Sequence, residues 1–115
     1  TNSKKIEDYI ASVMDGVSYK LHLDQSAAPF RASAKSAIVK ALEKGVEKFT
    51  SIQPKHSTAG GTSDARYLAQ YGIQTIEFGV RNDTIHAPNE YTSLEDVLKL
   101  AKIFHYVITH LKEHL

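Results

Sequence analysis

The residues best suited to chemistry begin with a lone histidine in NDTIHAPNE, residues 82–90. His86 follows an apolar run, in a stretch that Pro88, Asn82 and Asn89 keep out of regular structure. A neutral imidazole in such a loop is a ready metal ligand when a carbonyl or carboxylate holds its other nitrogen. A loop histidine satisfied by ordinary hydrogen bonds accounts for the same pattern. The second stretch is AGGTSDAR, residues 59–66. Gly60 and Gly61 allow close backbone approach, and a following helix would aim free N–H groups at the loop. A carboxylate would suit that cradle, with the Thr62 and Ser63 hydroxyls as donors and Arg66 as a charged partner. A tight turn with a helix cap is the plainer reading. No Gly-Lys-Ser/Thr follows the glycines, so this is not a Walker-type phosphate loop.

Other histidines have metal-like spacing with simpler explanations. His22 and Asp24 share one strand face, as solvated residues of an alternating strand do. His110 and His114 lie four apart near the end of the last helix, where they complement its negative end.

The elements that must position these groups alternate along the chain. Ile6, Ile10 and Val13 have helical spacing within residues 3–14, and Gly16 ends the pattern. VSYKLHLD, residues 17–24, alternates apolar and polar side chains and predicts a half-buried strand. SAAPFRAS (26–33) is a connector and the best place for a domain boundary. Ile38, Leu42, Val46 and Phe49 mark a helix from Ser33, its N-cap, to about Thr50. PKHST (54–58) reads as a short edge strand, since Pro54 is tolerated at a strand's start or edge. A helix is predicted from Ser63 to Tyr71 with Gly72 as its cap. IQTIEFGV (73–80) predicts a more buried strand. Ser93 and Asp96 stand in capping-box register, opening a helix with apolar positions at 94, 97, 101, 104, 108 and 111. Helix and strand alternate, so the expected class is α/β.

Bulk properties narrow the function classes. A chain of 115 residues with net charge +1 carries no basic stripe that would indicate nucleic acid. No apolar run nears the roughly 18 residues of a membrane span. Cysteine is absent, which excludes thiolate chemistry and fits a cytoplasmic setting. Thr1 stands where an initiating methionine would be, which a cut or processed chain would show.

In order and spacing, GGTSDAR, IQTIEFGV, NDTIHAPNE and the capped last helix resemble the zinc aminoacylase and carboxypeptidase family. The likeness is greatest to its N-succinyl amino-acid desuccinylases and covers about residues 25–112. It implies that residues 25–115 are the C-terminal part of an α/β/α zinc-peptidase-like catalytic domain. Residues 1–24 would be the last helix and strand of a lid or dimerisation domain, implying a homodimer. In the family two zinc ions activate a water that attacks an amide carbonyl, and a glutamate takes its proton. The resemblance makes His86 a zinc ligand. It places Gly60, Gly61, Thr62, Ser63, Arg66 and Asn82 at the substrate side, for a small N-succinyl amino acid. The family's His-x-Asp-x-Val-Pro motif is not matched by HLDQSAAP, and no Glu-Glu pair occurs in this sequence. One histidine cannot hold a catalytic zinc, which takes about three protein ligands. The expectation is therefore the C-terminal third of an enzyme, inactive and without bound zinc when alone. A sibling deacylase or carboxypeptidase, or a non-catalytic binding module on the same fold, would carry the same elements.

Overall fold

The computed structural model describes residues 3–24, 30–59 and 63–115, and four α-helices run through them in the order α1 (Ser3–Val13), α2 (Ala37–Thr50), α3 (Ala65–Ala69) and α4 (Leu94–His110). A 3-10 turn, Leu111–His114, follows α4 directly. The centre of the molecule is α2 laid on α4 and its 3-10 extension. Val39, Ala41 and Val46 of α2 and Ile103 of α4 are the buried apolar residues. Gly45 is buried with them.

Gly45 explains why the two helices meet there. A methyl group built on it would lie 3.1 Å from Cδ1 of Tyr106 and 3.4 Å from Cγ2 of Ile103. Glycine in mid-helix costs up to about 1 kcal/mol relative to alanine, and here it is the residue that lets the α4 side chains in. Tyr106 is fixed from two more directions. Phe49 meets it edge-on at 6.3 Å and His110 stacks on it at 4.1 Å. The Lys48 ammonium lies 5.3 Å from the Tyr106 ring centre.

Helix boundaries follow local chemistry. Ser93 caps α4 as expected, its hydroxyl accepting from the Asp96 N–H at 3.1 Å. The expected start of α2 at Ser33 is corrected to Ala37, with Ser36 at the cap. Ser33 instead makes a turn: its carbonyl accepts from the Ser36 N–H at 3.0 Å and its hydroxyl from the Lys35 N–H at 3.3 Å. Short polar side chains compete with the helix for backbone groups in this way. The helix expected over 63–71 shrinks to Ala65–Ala69, and Gly72 takes a left-handed φ of 76° after a short turn.

The α/β expectation needs a larger correction. Among the described residues there is no strand: 17–24, 54–58 and 73–80 form no ladder. A strand exists only through hydrogen bonds to a neighbour about 4.8 Å away, and no described segment supplies that neighbour. Residues 73–80 still pack against α4, where Phe78 meets Phe104 edge-on at 6.1 Å. The apolar row expected on α4 is otherwise open, with Leu94 and Ile108 both exposed. The row that α2 covers is the neighbouring one, with Ile103 and Tyr106. The connector expected at 26–33 lies partly outside the described residues, as residues 25–29 do.

The shape is loose for the length. The radius of gyration is 18.9 Å, against about 13 Å for a compact domain of this size. The accessible surface is 9442 Å², where a compact monomer of this mass would expose about 6,300 Å². Much of the excess is apolar: Tyr9, Val13, Ile52, Tyr71, Tyr91 and Ile108 are each more than half exposed. No helix among the described residues is long and apolar enough to cross a membrane.

If the α2–α4 contact is the main packing, Gly45→Val should destabilise the chain by about 1–3 kcal/mol through overpacking against Tyr106 and Ile103. Denaturant unfolding followed by circular dichroism measures this, and an unchanged midpoint would show that the contact contributes little.

Candidate functional site

His86 stands on a loop built from overlapping turns. The Ile85 N–H donates to the Asn82 carbonyl at 3.1 Å, and the Ala87 N–H to the Thr84 carbonyl at 2.9 Å. His86 is the third residue of the second turn and has a φ of 60°. That left-handed position favours glycine or asparagine, because a Cβ crowds the carbonyl oxygen. Asn89, farther along the loop, is left-handed too, with φ 58°. Both His86 and Asn82 are exposed. A side chain with a Cβ in that conformation costs of order 1–3 kcal/mol, which the hydrogen-bonded turns around His86 must offset.

The loop is tied to α4 at both ends. Arg81, which precedes it, lies 3.7 Å from the Asp96 carboxylate. Thr84 and Tyr91 join across it, the Thr84 hydroxyl donating to the Tyr91 carbonyl and accepting from the Tyr91 N–H, both at 3.1 Å. Ser93, two residues later, caps α4 through Asp96. The Thr84 hydroxyl was not among the residues singled out from sequence; a threonine after Asn-Asp in a turn-forming stretch was the available signal.

The second group surrounds the glycine loop. Gly60, Gly61 and Thr62 lie outside the described residues. Ser63 is described and its hydroxyl is committed twice, donating to the Glu77 carboxylate and accepting from the Ala65 N–H at 3.1 Å. Glu77 thereby links residues 73–80 to the start of α3. Arg66 turns to its neighbour, with its guanidinium 4.9 Å from the Tyr67 ring centre and an N–H donating to the Tyr67 hydroxyl at 3.2 Å. Its Nε is buried without a partner among the described residues. The expectation of a long helix aiming its dipole at the loop does not hold for α3, which has five residues with Asp64 at its cap. His56 pairs with Glu43 of α2 at 2.5 Å, a contact unforeseen from sequence that fastens residues 54–59 to the core. Glu43, His56, Ser63, Arg66 and Glu77 all line one open groove between α2 and the two segments 54–59 and 75–78.

The histidines with metal-like spacing make local contacts. His22 and Asp24 pair at 3.2 Å with side chains 87% and 91% exposed, where water screens the interaction to little net value. The His110 Nδ1 lies 2.9 Å from the Tyr106 carbonyl and 2.8 Å from the Thr109 hydroxyl, so it serves the helix end.

A family model described as peptidase family M20/M25/M40 matches residues 3–110. The chain belongs to this family. Similar curated relatives are the succinyl-diaminopimelate desuccinylase of Nitratiruptor sp., 53% identical over 108 residues, and that of Nautilia profundicola, 51% identical over 108 residues. In each case the match covers 94% of this chain and 30% of the relative. The desuccinylase of Sulfurovum sp. is 49% identical over 110 residues, 96% of this chain and 30% of the relative. The chain thus spans about 30% of the length of the curated relatives it matches.

No group of three or more His, Cys, Asp or Glu side chains converges among the described residues. His86, exposed on its turn, can offer one ligand, and the described residues do not complete a site around it.

The strain at His86 gives a measurable consequence. In this chain His86→Gly should be more stable than His86→Ala by about 1 kcal/mol, since glycine alone adopts the left-handed turn without a Cβ clash. Paired thermal denaturation curves test it; equal midpoints would mean that the turn relaxes at no cost.

Proposed function

We propose that this chain is the C-terminal portion of a zinc-dependent amide hydrolase that converts N-succinyl-LL-2,6-diaminopimelate and water to succinate and LL-diaminopimelate. The observation that carries this reading is the identity of about half of all residues, over nearly the whole chain, to enzymes bearing that name. A cytoplasmic biosynthetic setting belongs to the same reading. In the complete enzyme residues 25–115 form part of an α/β/α catalytic domain, where 73–80 gains neighbouring strands and its ladder. Residues 1–24 belong to a lid through which the enzyme dimerises.

Within this reading zinc supplies the Lewis acidity that activates water, and His86 is one of its ligands. The remaining ligands and the general base come from the larger part of the enzyme. Gly60, Gly61, Thr62, Ser63, Arg66 and Asn82 form the substrate side. The substrate carries several carboxylates, and the Arg66 guanidinium and the Thr62 hydroxyl are donors that bind such groups through charge-assisted hydrogen bonds. Arg66 has five N–H donors, and the contact with Tyr67 described above uses one, which leaves its fork able to take a carboxylate.

The purified complete protein should hydrolyse N-succinyl-LL-2,6-diaminopimelate, lose that activity to a chelator and regain it with zinc. Preference for an N-acetyl or other N-acyl amino acid would favour a sibling deacylase instead. The 115-residue chain alone should show no turnover with or without added zinc; chelator-sensitive activity scaling with its concentration would overturn the assignment of the general base elsewhere.

The exposed apolar surface leads to a further expectation. The isolated chain should self-associate, most simply as a two-fold dimer, because unpaired segments and open apolar faces recruit a second copy. Sedimentation at micromolar concentration should give a species above the monomer mass of 12.8 kDa, and a well-folded monomer would refute this.

A further inference from the structure

We propose that Thr84 is the positioning residue for His86, acting through the backbone and touching neither substrate nor metal. This rests on the reading of His86 as a metal ligand. A metal ligand on an exposed loop has to be held in place by its surroundings, because an untethered imidazole loses conformational freedom whenever it binds. The contacts of His86's own turn come from residue 84. The Thr84 carbonyl closes the turn that sets His86 in its left-handed conformation, at 2.9 Å from the Ala87 N–H. The Thr84 hydroxyl, at the same time, grips both backbone groups of Tyr91 at 3.1 Å. A hydroxyl has one donor and two acceptor sites, so a single side chain can serve both.

The far end of this clasp is joined to α4. Tyr91 is two residues from Ser93, whose capping bond to Asp96 begins α4. Arg81 at the loop's start also reaches Asp96. The route from the buried α2–α4 contact to the imidazole therefore runs through α4, its cap, Tyr91 and Thr84. Thr84 is half-buried while His86 and its neighbours from Ile85 to Tyr91 are exposed. The loop is held by these hydrogen bonds and not by core packing, so the loss of one hydroxyl should free the loop while leaving the helices intact.

The test uses the complete enzyme with zinc affinity measured by chelator competition and the visible absorption of the cobalt(II)-substituted protein. Thr84→Val removes the hydroxyl at constant shape, and Thr84→Ser keeps it. Thr84→Val should weaken one metal site about 10–100-fold, the range seen when a ligand's support is removed, and alter the cobalt spectrum. Thr84→Ser should stay within about 3-fold of the unmodified enzyme, well short of that range. In a His86→Ala background, Thr84→Val should cause no further loss, since the ligand it positions is gone. Unchanged zinc affinity in Thr84→Val overturns the proposal, as does a loss that persists undiminished in the His86→Ala background. A Thr84→Val enzyme that fails to fold also overturns it, by making the clasp a requirement of the fold. If His86→Ala itself retains full zinc affinity, the ligand assignment has failed; if it loses zinc while Thr84→Val does not, the positioning role alone has failed.

Discussion

The approach of α2 to α4 at Gly45 is the constraint on which the remaining order depends. The absent side chain brings Ile103 and Tyr106 against the α2 backbone, and Tyr106 in turn organises Phe49, Lys48 and His110 around itself. Side chains in this small cluster are held from several directions, and the buried apolar residues among those described all lie on these two helices. Two described segments are joined to these helices by side-chain contacts. His56 fastens 54–59 to α2 through Glu43, while Phe78 and the Arg81–Asp96 pair fasten 73–81 to α4.

The large accessible surface belongs with that dependence. Burying apolar surface stabilises by about 25 cal/mol per Å², and a chain that leaves a row of α4 and much of α1 uncovered forgoes much of it. The exposed residues are not scattered substitutes for polar ones. They recur at helical spacing on α1 and α4, the pattern of faces that pack against something. Relatives some three times as long provide an obvious source of such cover within one polypeptide.

The candidate site was partly legible in the residues. Ser93 and Asp96 spelled out the α4 cap, and Pro88 with the asparagines marked a loop around His86. The left-handed conformation of His86 was not read from the residues; histidine tolerates it better than most types, and the turn pairs on either side impose it. Arg66 was read as a charged partner for a ligand, and its stacking on the neighbouring Tyr67 was not foreseen; a guanidinium finds an aromatic face wherever one lies within reach. Ser63 was read as an extra donor to a ligand, and its bond to Glu77, fourteen residues on, was not foreseen, because at that distance along the chain spacing carries no information.

By itself the sequence determined the helices at the two ends and in the middle, the loop character of residues 82–91, the lone histidine on that loop and, through motif order, the family. These depend on periodicity, turn chemistry and short-range capping, all written within a few neighbouring residues. Tertiary structure alone decided which row of α4 is covered, and that 17–24, 54–58 and 73–80 form no ladder among the described residues. The physical reason is the same each time. An apolar stripe states that a helix face seeks cover, and an alternating segment that a strand is possible, but cover and ladder are supplied by a second element whose position no local pattern encodes.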